Sequence, residues 1–123
     1  MFEGKLEQMN DKYTLEKLSQ YFAGDKDQLK EMIALFLDTI TPDIAVLGKL
    51  SRQEEWNKLL KVTHRIKPSL DIFEMNELLI EINKIEKLAR EKNLDGNLNN
   101  CISILSEKFN KISTSLNDEL QKM

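Results

Sequence analysis

A chain of 123 residues falls within the usual size of one domain and is long enough to bury a core without disulfides or metals. Its 18 Lys and Arg against 21 Asp and Glu leave a net charge of -3, which gives no general reason to expect nucleic acid or an anionic membrane as partner. One cysteine, Cys101, and one histidine, His64, exclude an internal disulfide and leave too few ligands for a structural zinc site.

The start, MFEGKLEQMN, lacks the basic-then-apolar order of a signal peptide, and the longest purely apolar run, MIALFL from Met32 to Leu37, is far too short to span a bilayer. A soluble, cytoplasmic protein in a reducing compartment is therefore expected. Only 4 Gly and 2 Pro occur, 32% of residues are charged, and apolar residues recur at steps of three and four, a pattern of helices without strands.

In chain order, a short first helix fits Thr14 to Ala23, with Leu15, Leu18 and Phe22 on one side and Gly24 as its stop. Asp25 caps the second helix, with Gln28 placed for a capping box. Its apolar stripe is Leu29, Met32, Ile33, Phe36, Leu37, Ile40, Ile44 and Leu47, and Pro42 must kink it or restart it. Ser51 and Glu54 have the S-x-x-E spacing of a capping box for a third helix, whose apolar side is Trp56, Leu59, Leu60, Thr63, Ile66, Leu70 and Phe73. Asn76 is the expected cap of a fourth, running through Leu78, Ile82, Ile85 and Ala89 to the polar stretch EKNLDGN, where Gly96 marks a turn. A fifth carries Leu98, Cys101, Leu105, Phe109, Ile112, Leu116 and Leu120. Trp56, Phe73, Phe109 and Cys101 read as core rather than as a ligand box. Short connections between long amphipathic helices predict an all-α fold. Residues 1–123 should form a single domain: an antiparallel up-down four-helix bundle with a short extra N-terminal helix. Nothing in the stripes demands a dimer, so a monomer is expected.

The third helix carries the only histidine. At about 100° per residue, the centre of its apolar stripe lies near Thr63 and Leu70, and His64 falls roughly 120° away, facing solvent. Leu60, Lys61, Lys67, Pro68 and Asp71 are its neighbours at three, four and seven residues. Between Trp56 and Leu70 stand Lys58, Lys61, Arg65 and Lys67 and no carboxylate, which predicts a basic patch on an acidic protein. An exposed, neutral imidazole is a nucleophile without a helper base, and cations beside it would steady an incoming phosphoryl group. Lys67, one turn along, is the best-placed donor. No carboxylate stands at helical spacing to orient the ring, so general acid-base hydrolysis has no support.

Pro68 sits one turn after His64, where a proline lacks its own N–H, crowds the His64 carbonyl and costs roughly 3 kcal/mol if uncompensated. Helical side chains lean toward the N-terminus, so a long side chain at 68 would cover the imidazole. A proline ring stays back and leaves the approach open. The competing reading is that Pro68 ends one helix and opens another.

The residues around His64 resemble the signature of the histidine-containing phosphotransfer (HPt) domains of two-component phosphorelays. In that family a helical His is followed by Lys at plus three, a small residue, most often Gly, at plus four, and Ser or Ala at plus five. His64, Lys67 and Ser69 match, and position 68 departs by being Pro. Helix order, chain length and the motif's place on the second helix of the bundle also agree, over roughly residues 14 to 120.

The resemblance implies a phosphoryl carrier, not an enzyme with its own turnover. His64 would accept the group from the aspartate of a receiver domain and pass it to another, and Lys67 would stabilise the phosphate. The partners implied are response-regulator receiver domains or a hybrid histidine kinase. No cofactor is implied for this chain, since the receiver supplies the acidic pocket and Mg²⁺. Leu60, Lys61, Pro68 and Asp71 would belong to the docking surface. The alternative is a helical interaction module, a degenerate HPt domain or an unrelated bundle, that docks a partner without phosphotransfer. The phosphoacceptor region of a histidine kinase fits less well, because that family follows its His with an acidic residue and Arg65 stands here.

Overall fold

The computed structural model describes residues 13–92 and 95–123. Five helices follow one another: α1 (Glu16–Tyr21), α2 (Lys26–Arg52), α3 (Trp56–Ile72), α4 (Asn76–Arg90) and α5 (Asn97–Lys122). No strand occurs among the described residues. The four long helices form an antiparallel ring in which α2 packs on α3, α3 on α4, α4 on α5 and α5 back on α2, with α1 against α2. No helix among the described residues is long and apolar enough to cross a membrane.

The apolar stripes become the core because all four point at the bundle axis. Leu29, Ile33, Phe36, Ile40, Ile44, Leu47 and Leu50 of α2 meet Leu59, Val62, Ile66 and Leu70 of α3, all buried. From the other side come Leu78, Ile82, Ile85 and Ala89 of α4 and Leu98, Ile102, Leu105, Phe109, Ile112 and Leu116 of α5. In α5 the inward position is Ile102, and Cys101, expected in the core, lies half-buried at its flank. Trp56 is also only partly buried and packs on the core edge. Phe36 gathers Phe73 and Phe109 about it, with ring centroids 4.3 and 6.3 Å away and the rings tilted to each other by 45 and 50°.

Tight turns make the bundle up-and-down, and their chemistry departs from the sequence expectation. After α2 the chain does not use Ser51 and Glu54 as a capping box: Ser51 is buried within α2, and Glu54 adopts a left-handed φ of 55°. The Glu54 and Glu55 N–H groups donate back to the Ser51 and Leu50 carbonyls, which satisfies the last turn of α2 in a Schellman motif. The same arrangement ends α3, where Glu74 (φ 53°) and Met75 donate to Asp71 and Leu70. Buried Leu70 and Met75 supply its apolar contact. The expected Asn76 cap shifts accordingly: Met75 holds the N-cap position without a side-chain cap, and Asn76 is the first residue of α4. Asp25 does cap α2, its carboxylate accepting from the Asp27 and Gln28 N–H groups at 3.0 and 3.2 Å. The reciprocal half of that box is absent, because the Asp25 N–H donates to the Phe22 carbonyl. The turn expected in EKNLDGN holds Asn93 and Leu94, which lie outside the described residues. Gly96 caps α5 at a φ of 93°, a backbone region suited to glycine.

α2 runs uninterrupted through Pro42 and α3 through Pro68, so neither proline restarts a helix. At the other end of the chain's order, α1 is held from both sides. The Thr14 N–H donates to the Phe73 carbonyl at 2.8 Å, buried Tyr13 donates its phenol proton to Glu119 of α5 at 2.5 Å, and Leu18 is fully buried.

Candidate functional site

Helix α3 places His64 as its periodicity requires. Thr63, Ile66 and Leu70 are fully buried, which turns the imidazole outward to solvent. His64 makes no hydrogen bond or ion pair among the described residues. Of its neighbours, Lys61, Pro68 and Asp71 are exposed and Leu60 is half-buried, so these four and His64 share one outward arc of α3, within roughly 60° of the ring. Lys67 lies at the edge of that arc, turned toward α4. Because α3 continues through Pro68, the His64 carbonyl has no amide donor at position 68, while the helical frame on both sides of the ring is kept.

The basic patch expected from the sequence is largely neutralised. Carboxylates absent between Trp56 and Leu70 arrive from outside that run, two of them from other helices that a linear reading cannot align. Arg65 grips Asp43 of α2 through two hydrogen bonds, at 3.1 and 2.8 Å, and those bonds raise its guanidinium further above its ordinary value. Lys58 pairs with Glu55 at 3.1 Å, and Lys67 pairs with Glu86 of α4. Of the four cations, only Lys61 lacks an ion pair or hydrogen bond among the described residues.

Glu86 is the residue that the sequence reading missed. It is 3% exposed, yet it occupies the inward face of α4 beside Ile82, Ile85 and Ala89. One carboxylate oxygen takes the Lys67 ammonium, whose side chain is 31% exposed. The other lies 3.1 Å from the Thr63 hydroxyl, which is also 2.9 Å from the Leu60 carbonyl, so the hydroxyl's one proton serves two acceptors. A charge taken out of water needs such partners, since burying it alone would cost several kcal/mol. Its signal was present: a carboxylate four residues after Ile82 falls on the apolar stripe, where charge is rare. Residues 63 and 67, on either side of His64, are thus tied to a single buried carboxylate.

An open groove of about 540 Å³ lies elsewhere, between α2 and α5, lined among others by Asp38, Thr41, Pro42, Ser113 and Asp118. None of the residues around His64 lines it. Compared with models of known protein families, with curated proteins and with solved structures, the chain finds no match.

Proposed function

We propose that this protein is a phosphoryl carrier of the histidine-phosphotransfer kind. It would accept a phosphoryl group on His64 from a receiver-domain aspartate and pass it to another receiver. The observation that carries this reading is an exposed imidazole, unpartnered among the described residues, held in mid-helix on a helical bundle, with a lysine one turn away. In the transfer, the lone pair of a ring nitrogen attacks phosphorus while the phosphorus–oxygen bond to the aspartate breaks, its electron pair leaving with the carboxylate. The ring, now cationic, keeps the proton on its other nitrogen until water takes it. Each step reverses when the next aspartate attacks. Mg²⁺ belongs to the partner, whose acidic pocket meets the surface formed by Leu60, Lys61, Pro68 and Asp71. Among the described residues no base orients His64, which suits a carrier more than a hydrolase.

Neutralisation of three of the four nearby cations favours a second reading, a docking module that binds a partner without phosphotransfer. The two separate on one experiment: incubation with a panel of receiver domains charged by acetyl phosphate, followed by intact mass and phosphate lability. Acid-labile, base-stable phosphate on the parent and none on His64→Gln is the expected result. A folded parent that binds a receiver yet gains no phosphate, and whose binding His64→Gln leaves unchanged, would establish the docking module instead.

A further inference from the structure

Lys67, the cation placed to hold a phosphoryl group on His64, is already occupied. Its ammonium is paired with Glu86, and Glu86 is 3% exposed with, among the described residues, only the Thr63 hydroxyl as its other partner. A phosphohistidine brings a dianionic group within a turn of that pair. Lys67 must then share its charge between two anions or leave a carboxylate that water cannot reach.

We propose that Glu86 is a positioning residue that competes with the phosphoryl group for Lys67, and so keeps the phosphohistidine easy to discharge. The inference rests on the carrier reading of His64. Its physical basis is the partition of one ammonium charge. Phosphoryl transfer passes through a loose, metaphosphate-like state in which the moving group carries less negative charge than the bound dianion. A lysine free to grip the phosphoryl group therefore stabilises the resting phosphohistidine more than the transition state, and slows its loss. A lysine held by Glu86 does so less. The arrangement favours rapid delivery over storage, as a relay component requires.

Phosphoramidate tests this without any partner, because His64 is the only histidine to phosphorylate. After loading, the half-life of the phosphohistidine at pH 7 is followed by ³¹P NMR in the parent, Glu86→Gln, Lys67→Met and the double variant. Glu86→Gln should lengthen the half-life roughly three- to tenfold, the size of one partly screened charge contact. The gain should vanish in the Lys67→Met background. Independently of any variant, the Lys67 Nζ resonance of ¹⁵N-lysine-labelled parent should shift when His64 is phosphorylated, as the ammonium leaves or shares its carboxylate. A Lys67 resonance unmoved by phosphorylation would overturn the proposal, as would a Glu86→Gln effect that persists without Lys67 or an unchanged half-life. In those cases His64 would still be phosphorylated and the carrier reading would stand. No phosphate on the parent at all would remove that reading, and this inference with it.

Discussion

Helix α4 buries two carboxylates, Glu81 and Glu86, at 4% and 3% exposure, and the two are solved differently. Glu81 has one oxygen 3.2 Å from Lys108 of α5 and 3.7 Å from Lys84, one turn along α4 itself, two cations for one charge. Glu86 faces α3, where among the described residues Lys67 is its only cation and Thr63 supplies the remaining contact. The first site is redundant and touches nothing reactive. The second is minimal and stands beside the one exposed imidazole. Equal burial thus hides unequal dependence: Glu81 can lose a partner and stay paired, whereas Glu86 cannot.

Single substitutions can break that comparison. Lys67→Met should cost about 2–3 kcal/mol, less than the roughly 3–5 kcal/mol of breaking a fully buried pair, because water already reaches part of the lysine. Lys108→Met should cost about 1 kcal/mol, since Lys84 remains near Glu81. Urea denaturation of both variants measures the difference, and equal losses would show that the second lysine at Glu81 contributes nothing.

A third carboxylate sharpens the contrast, because Glu119 takes a neutral phenol as its partner. Burial first, and then the hydrogen bond to Glu119, push the Tyr13 phenol well above the ordinary tyrosine value near 10. The folded state therefore holds this proton more tightly than the unfolded chain. The contribution is complete below about pH 10 and is lost as pH rises above it. Tyr13→Phe should cost about 0.5–1 kcal/mol at neutral pH and flatten the alkaline fall in the urea midpoint. A parent and variant with parallel alkaline profiles would assign that fall to other groups. The smallest effect is expected at Arg65, whose side chain is 59% exposed where it meets Asp43: Arg65→Met should shift the melting temperature slightly at low salt and less near 1 M.

Much of this was legible in the sequence, and the parts that were not share a cause. Apolar spacing is a local property, so the five helices, most of their inward positions and the outward turn of His64 could be read from periodicity, although in α5 Ile102 and not Cys101 proved to point inward. Pairing across helices is not local. Asp43 is 22 residues from Arg65 and Glu86 is 23 from Thr63, and only the packed register of α2, α3 and α4 brings them together. The run from Trp56 to Leu70 therefore looked like a basic patch. The helix ends misled for a different reason. Ser51 and Glu54 have capping-box spacing, but the pattern does not tell whether the Ser opens a helix or closes the one before it. Here α2 had a further turn to run, and a left-handed Glu54 closed it.

That closure recurs. Ala23, Glu54, Glu74 and Lys92 all hold a left-handed backbone, with φ between 52 and 55°, at the ends of α1 to α4. An L-residue is strained there by about 1–2 kcal/mol, and glycine is not, although its freer unfolded chain offsets part of the gain. Each position is therefore a place where the chain sits below its attainable melting point. Four substitutions to glycine, none on the outward arc around His64, would give a thermostabilised version of the same scaffold with its reactive surface untouched.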